Sequence, residues 1–312
     1  MKNIQKEIAT IRSGKFDSVY LILGEEQYFI EQIREAIIEH ALDEDSIDLN
    51  FVNYDMEEVS ISEALFEASS FPFFGERKVV FVQNPFFLTG QKAKNAPDHS
   101  LDEIMDYLEN PADFSILVFF APYEKLDRRK KVTKLLEKTA TIVDVSSPYP
   151  NEASQYIKEI VKEKGYHFSD EAFQLFTERT DGRLSQMMHE LDKLFMLHME
   201  SKTITLESVR QLVPKTLEQN VFELNTLVLN NQVEASIETY QDLLVQKEEP
   251  IKIVALLISQ FRLLLQVKIL QKQGYQQSDI AKVLKVHPYR VKLALQNVRR
   301  YEQRLLSEAL DY

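Results

Sequence analysis

Hydrophobic positions in the first 147 residues alternate between short continuous runs and a spacing of three or four. Continuous apolar runs such as Val19 to Leu23 are typical of strands buried on both faces of a sheet. Between the runs, Ile33 and Ile37 recur at helical spacing. The pattern predicts repeated strand–helix units and a mostly parallel α/β sheet covered on both faces. The predicted strands are 19–23, 49–54, 79–82, 114–120 and 142–145.

The pattern changes after Ser146-Ser147-Pro148-Tyr149-Pro150, which is typical of a linker. No convincing strand follows, and apolar residues recur at helical spacing to the end of the chain. Ser169 before two acidic residues predicts a helix N-cap, and Pro214 ends a group of shorter helices. We therefore expect an α/β domain at 1–147, then two all-α domains. The first is a small domain of three to four helices at 148–214, and the second spans 215–312.

Composition predicts a cytoplasmic protein. The chain of 312 residues has no cysteine, which excludes disulfides and thiolate chemistry and fits a reducing compartment. The first residues lack the apolar core of a secretion signal. The longest apolar run, near Ile253 to Ile258, is too short to cross a bilayer, so no membrane partner is expected.

Charge is unevenly distributed along the chain. The net charge of −12 discourages non-specific binding of nucleic acid by the whole surface. Residues 251–312, however, contain eleven Lys and Arg against four Asp and Glu. This part is a candidate surface for an acidic partner, and the alternative is that its cations lie on solvated helix faces.

The loop after the first predicted strand is where a parallel α/β sheet would bind a nucleotide phosphate. It reads Gly24-Glu25-Glu26-Gln27-Tyr28, with one glycine, no lysine and two carboxylates. A phosphate loop needs closely spaced glycines and a lysine, and the seven glycines of the chain are too far apart for either glycine-rich motif. No acidic residue follows the strands that end at Val82 and Phe120, where one would hold magnesium. We expect no cofactor.

Other catalytic chemistry is also missing from the sequence. The six histidines are scattered without metal-ligand spacing, and there is no serine nucleophile elbow. The chain alone is therefore expected to have no metal site and no active site.

Three phenylalanines crowd a turn between a predicted helix and a predicted strand. The turn reads Phe71-Pro72-Phe73-Phe74-Gly75, in which proline and glycine interrupt regular structure. Apolar side chains at a turn are harder to bury than those on the face of an element. The cluster is therefore a candidate anchor for a pocket on another protein. The alternative is that the rings fold back and cap the local core.

Two basic segments are candidate contacts for DNA or for another subunit. Arg128, Arg129, Lys130 and Lys131 open a predicted helix, where positive charge is unfavourable for the helix dipole. The alternative for this run is a solvated face.

The second basic segment, Ser278 to Val291, resembles a helix-turn-helix. Arg290 and Lys292 lie on its second helix, and such a helix can enter a major groove. The alternative is a plain helical hairpin inside a bundle.

Taken in order, these features resemble the delta subunit of the bacterial DNA polymerase III clamp loader, most closely its Gram-positive form. The resemblance covers essentially the whole chain in domain order. The segments that carry it are Ser70 to Lys78, Asp181 to Leu194, Val221-Phe222-Glu223-Leu224, and Ile280-Ala281 through His287-Pro288-Tyr289-Arg290-Val291.

The resemblance implies an AAA+-like sheet domain without a phosphate loop that binds no ATP, followed by a lid domain and a helical collar. It implies a non-catalytic subunit of a DNA-directed DNA polymerase holoenzyme. The collar would assemble with delta-prime and the ATP-hydrolysing tau/gamma subunits, and the assembly would act on primed DNA. A tip of the first domain would enter a hydrophobic pocket of the sliding clamp (beta) and allow the ring to open.

The resemblance also implies which residues bind the clamp. Phe71, Phe73 and Phe74 match the tip, where other branches carry Met or Leu, and Pro72 and Leu65 lie beside them.

The helix-turn-helix-like segment falls in the collar, which favours subunit packing. A DNA-binding regulator that uses Pro288 to Arg300 is the alternative. The final helical pattern, Arg300 to Tyr312, has no stop signal, whereas family members usually continue. This difference raises the hypothesis that the chain is truncated at its C-terminus.

Overall fold

The computed structural model describes residues 2–73, 75–91, 96–284, 286, 288–298, 303–308 and 310. The chain divides into two compact units, Met1–Leu212 and Val213–Tyr312. The first unit contains both the sheet and the short helices that follow the linker. The separate boundary expected near residue 147 therefore stays a prediction.

A five-stranded sheet forms the centre of the first unit. Its strands are β1 (Val19–Leu23), β2 (Phe51–Asp55), β3 (Lys78–Gln83), β4 (Ser115–Ala121) and β5 (Thr141–Asp144). All neighbours pair in parallel in the order β2-β3-β4-β1-β5, which confirms the predicted sheet. Strands β3 and β4 are buried almost throughout, which explains their continuous apolar sequence.

Ten helices accompany this sheet among the described residues of the first unit. They are α1 (Lys2–Arg12), α2 (Gln27–Ala41), α3 (Ile47–Asn50), α4 (Ile61–Ser69), α5 (Leu101–Glu109), α6 (Lys131–Thr139), α7 (Pro150–Glu163), α8 (Asp170–Arg179), α9 (Leu184–Leu197) and α10 (Leu206–Leu212). Short 3₁₀ turns cover Glu44–Ser46 and Phe86–Leu88. The predicted cap at Ser169 is present, since its side chain accepts a hydrogen bond from the Ala172 N–H.

The expectation of no strand after the linker is wrong in one place. Residues His167–Phe168 (β6) and Thr203–Ile204 (β7) form a two-residue parallel ladder. A ladder this short carries too few residues to show an alternating pattern in the sequence.

The described residues of the second unit form helices and the segments that connect them. Its helices are α11 (Leu217–Leu229), α12 (Val233–Val245), α13 (Pro250–Lys272), α14 (Gln277–Leu284), α15 (Pro288–Val298) and α16 (Gln303–Glu308). Helix α13 packs against α11, α14, α15 and α16. One apolar cluster joins α11, α12 and α13, and a second joins α13 to α14, α15 and α16.

Helix α13 differs from the expectation that the longest apolar run, near Ile253 to Ile258, is too short to cross a bilayer. By length and composition, this 23-residue helix would suffice to cross a bilayer, and 28% of its apolar window is buried. Leu264 and Val267 on this helix are buried in the cluster shared with α14, α15 and α16. A single helix of this length and composition is weak evidence for a membrane span.

Candidate protein-binding site at the aromatic turn

The aromatic turn presents two of its rings at the surface. Phe71 is 80% exposed and Phe73 is 73% exposed, so these rings do not cap the local core. Phe71 stacks on the half-buried ring of Phe114 with centroids 4.5 Å apart, which supports it from one side. Pro72 between them is half-buried. Phe74, the third predicted ring, lies outside the described residues.

Helix α4 corrects one member of the predicted contact set and adds another residue. Leu65 is only 6% exposed and belongs to the sheet's core cluster, so its side chain is not available to a partner. Its neighbour Phe66 is 70% exposed. Phe66 is absent from the contact set predicted from the sequence, although a phenylalanine on the polar face of an amphipathic helix is a readable signal.

The turn is fixed by contacts from α3. The Asn50 side chain is fully buried, and its Oδ1 accepts a hydrogen bond from the Phe73 N–H at 2.8 Å. Gly75 has a φ of +82°, a conformation that L side chains rarely adopt. The exposed rings therefore stand on a backbone of defined conformation.

A partly buried ion pair ties α4 to the strand that follows the turn. Lys78 opens β3 with its side chain only 8% exposed, and its ammonium pairs with the Glu67 carboxylate. Next to it, the Arg77 guanidinium lies 5.0 Å from the centre of the Phe16 ring. These contacts fix both ends of the segment that carries the exposed rings.

The N-terminus of α4 is held by two side chains. Ser60 is the N-cap and accepts a hydrogen bond from the Ser62 N–H. The His99 Nδ1 accepts a hydrogen bond from the Ile61 N–H at 3.1 Å, while its Nε2 donates to the Met56 carbonyl at 2.9 Å. Burial lowers the pKa of His99, which keeps the imidazole neutral for this double role.

The predicted basic run has local partners for three of its four cations. Arg128 pairs with Glu137 at 2.9 Å, and the Lys130 Nζ donates to the Phe87 carbonyl at 2.7 Å. Arg129 donates from Nε and Nη2 to both oxygens of Asp127, which lowers the pKa of that carboxyl to about 2. Lys131 is exposed. A role for this run in contacting DNA or another subunit stays a prediction.

The predicted helix-turn-helix is part of a bundle in the second unit. Val291, Ala294 and Val298 of α15 are buried in the cluster shared with α13 and α14. Lys292 is exposed and Arg290 is half-buried, so the basic residues face outward to different degrees. Packing of this kind gives α14 and α15 a structural role and favours the hairpin interpretation.

No described group of three or more His, Cys, Asp or Glu residues is arranged to hold a metal ion.

Two family models match this chain. The model for the DNA polymerase III delta subunit covers residues 20–146, and the model for the C-terminal domain of that subunit covers 218–312. DNA polymerase III subunit delta of Bacillus subtilis is 38% identical over 304 residues, which is 96% of this chain and 88% of the relative. This chain belongs to the DNA polymerase III delta subunit family.

Two further comparisons agree with delta-family membership. The probable DNA polymerase III subunit delta of Aquifex aeolicus is 24% identical over 83% of this chain and 73% of that protein. The solved DNA clamp loader delta protein of Bacillus subtilis matches with a TM-score of 0.71 at 37% identity. It covers 99% of this chain and 91% of that structure. The resemblance to a clamp-loader delta subunit is confirmed, and the aromatic turn lies inside the first matched region.

Proposed function

We propose that this delta-family protein binds the sliding clamp (beta) through its aromatic turn and opens the ring for loading onto primed DNA. The observation that carries the proposal is the exposure of Phe71 and Phe73 on a turn held by Asn50. Large exposed apolar patches on a soluble surface mark sites of protein interaction. Aromatic anchors that fill a pocket dominate the energy of such interfaces.

Burial of the two rings in a pocket supplies enough free energy for specific binding. Each buried phenylalanine contributes roughly 1.5–3 kcal/mol, so the pair contributes about 3–6 kcal/mol. That range corresponds to roughly a 10²- to 10⁴-fold change in affinity. The subunit opens the ring only by as much as it prefers the open form to the closed form, so only the part of this free energy that is gained with the open ring alone shifts the equilibrium.

Assembly with delta-prime and tau/gamma is proposed to use the apolar surface of the second unit. Ile251, Val254 and Ile258 on α13 are exposed at a spacing of three and four residues, which makes one stripe. Val233 and Ile237 on α12 are exposed four residues apart. Stripes of this kind suit packing against helices of other subunits. Such an assembly acts in the bacterial cytoplasm.

Partners are proposed to supply the ATP hydrolysis that drives loading. The loop after β1 has the composition Gly24-Glu25-Glu26, without the lysine that a triphosphate requires. This chain then contributes binding free energy at the clamp. Nucleotide-driven changes in the rest of the assembly expose or cover the aromatic turn of this chain.

The proposal is tested with a Phe71→Ala, Phe73→Ala double variant and the purified sliding clamp. We expect surface plasmon resonance to show a loss of affinity of at least about 100-fold, with an unchanged melting temperature, because both rings are already exposed. Tyr149→Ala removes a ring that is equally exposed, at 75%, and is the matched control. Unchanged clamp affinity in the double variant would exclude the aromatic turn as the binding site.

A further inference from the structure

The N-terminus of α2 is occupied by side chains of the protein itself. The Ser185 Oγ accepts a hydrogen bond from the Tyr28 N–H at 3.0 Å, and its hydroxyl donates to the Glu26 carboxylate. Glu26 is the N-cap residue of α2 and is 95% buried, whereas Ser185 comes from the second position of α9. A helix that is distant in sequence therefore caps α2, and Glu26 sets the direction of the capping hydroxyl.

The Glu26 carboxylate lies where two helices begin. Neither α2 nor α9, within the described ranges 2–73 and 96–284, has an acid in its first turn or a side-chain bond from its own N-cap. Both N-termini carry partial positive charge, which a nearby anion stabilises. Burial of an isolated carboxylate is strongly unfavourable. The two helix ends and the Ser185 hydroxyl compensate for the free-energy cost of burying the Glu26 carboxylate.

The loop that precedes Glu26 is closed by backbone contacts. The Gly24 N–H donates to the Ala121 carbonyl at the end of β4, and the Glu26 N–H donates to the Val145 carbonyl just after β5. A Cβ on Gly24 would lie 2.4 Å from the Val145 carbonyl carbon. The loop is pressed against the ends of two strands, and the Gly24 and Glu26 amides form bonds within the protein.

A second set of contacts joins the same helices. The Tyr156 ring of α7 packs against Phe29 with centroids 5.6 Å apart and against Tyr28 at 6.3 Å. Its hydroxyl accepts a hydrogen bond from the Gln5 side chain of α1 at 2.5 Å. Burial raises the pKa of Tyr156, as expected for a ring enclosed between helices. The short helices after the linker are therefore fastened to α1 and α2.

We propose that the Glu26 carboxylate is a built-in anion at the phosphate position of this strand–loop–helix. With Ser185, it fastens α9 to the sheet and keeps residues 1–212 a single body. Phosphate and sulfate belong to the chemical class that this position would accept if the carboxylate were absent. These contacts lie within the first unit and do not depend on clamp binding.

The test compares Glu26→Gln with Glu25→Gln in the full chain. Glu25 is exposed in the same loop, so its variant has the same change of charge without the buried contacts. We expect Glu26→Gln to lower the melting temperature of the first unit by roughly 2–10 °C and Glu25→Gln to leave it unchanged. Hydrogen exchange at the Tyr28 amide should accelerate at least about 10-fold in Glu26→Gln and in Ser185→Ala. Equal melting and equal exchange in the two glutamine variants would overturn the proposal.

Inorganic phosphate provides a second measurement. We expect phosphate to raise the melting temperature of Glu26→Ala more than that of Glu25→Ala, because only the first variant vacates the anion position. An equal shift in both variants would show that phosphate acts elsewhere and would count against a built-in anion. If Glu26→Ala fails to fold, the melting and exchange comparison of Glu26→Gln with Glu25→Gln still decides the proposal, because glutamine preserves the side-chain volume.

Discussion

The Asn50 side chain holds the backbone of Phe73 through a 2.8 Å hydrogen bond from the Phe73 N–H to Oδ1. The amide is fully buried, while the ring that it positions is almost three-quarters exposed. A buried residue on α3 therefore sets the direction of a surface residue on the turn. Because the backbone of Phe73 is already fixed before binding, less conformational entropy is lost when its ring enters a pocket on a partner.

We expect Asn50→Ala to weaken clamp binding without removing any contact to the clamp. The Phe73 N–H loses its acceptor, which costs about 1–3 kcal/mol in stability of the folded turn. Clamp affinity should fall roughly 3- to 30-fold as the ring loses its fixed position. Calorimetry of binding and thermal melting measure the two effects.

Asn53→Ala is the matched control for this prediction. Asn53 lies on β2 nearby, is exposed, and accepts a bond from Gln83 at the surface. Loss of this surface bond should change both stability and affinity by less than about 0.5 kcal/mol. An Asn50→Ala variant that bound the clamp as well as Asn53→Ala would show that the hydrogen bond does not position the tip.

Phe66 is expected to extend the clamp-binding surface onto α4. The Phe66 ring is 70% exposed. The Phe66 carbonyl accepts a hydrogen bond from the Ser70 hydroxyl, so Phe66 lies within one helical turn of the start of the aromatic turn. It therefore offers a further apolar surface beside Phe71. We expect Phe66→Ala to reduce clamp affinity by roughly 3- to 10-fold, less than loss of a tip ring, with no change in melting temperature. Titrations of the clamp with Phe66→Ala and with the Phe71→Ala, Phe73→Ala double variant measure this ranking. If Phe66→Ala binds the clamp as tightly as the unmodified chain does, the clamp-binding surface is confined to the turn.

The Lys78–Glu67 pair is expected to be a structural requirement of the tip. Glu67→Gln leaves the Lys78 ammonium, only 8% exposed, without its counter-charge. Because Glu67 itself is partly exposed, we expect a loss of about 1–3 kcal/mol in the free energy of unfolding, measured by urea denaturation.

The surface pair Lys215–Glu223 is the control for this prediction. Both of its side chains are more than two-fifths exposed, and Glu223→Gln should cost less than about 1 kcal/mol. The double variant Lys78→Met, Glu67→Leu should recover much of the loss, because neither charge is then buried alone. Equal costs for Glu67→Gln and Glu223→Gln would show that the burial of Lys78 has no energetic consequence.

The sequence predicted the sheet well because its strands are buried on both faces. Runs such as Val79 to Val82 leave no polar position, and only parallel strands covered by helices tolerate that composition. The exposure of Phe71 was also predictable, because Pro72 and Gly75 break the elements on whose faces a ring could be buried. Leu65 lies on the buried face of α4 with Ile61 and Ala68, and it entered the contact set only through the family resemblance.

The contacts that hold the site were not predictable from local patterns. Asn50 and Phe73 are 23 residues apart, and Ser185 and Tyr28 are 157 apart. Nothing in the spacing of hydrophobic residues specifies which polar side chain satisfies a distant amide. Such pairs are decided by packing once the elements are in place, since buried polar groups must find partners.

His99 is expected to make the stability of the N-terminus of α4 depend on pH. Its Nδ1 accepts from the Ile61 N–H and its Nε2 donates to the Met56 carbonyl, so the neutral ring uses both nitrogens. The rings of Phe86 and Phe87 lie 5.2 and 4.9 Å away. Burial lowers its pKa, with the Met56 bond and the charge of Asp98 acting in the opposite direction.

A lowered folded-state pKa means that the unfolded chain binds the proton more readily. The stability that neutral His99 contributes is therefore complete above its unfolded value near 6.5 and is lost as the pH falls through the lower folded value. We expect the melting temperature to decrease between about pH 7.5 and about pH 5 more steeply in the unmodified protein than in His99→Gln. Glutamine can accept from Ile61 and donate to Met56 without titrating, and His189→Gln, at an exposed histidine, is the control. If His99→Gln shows the same pH dependence as the unmodified chain, the titration of His99 does not govern the stability of α4.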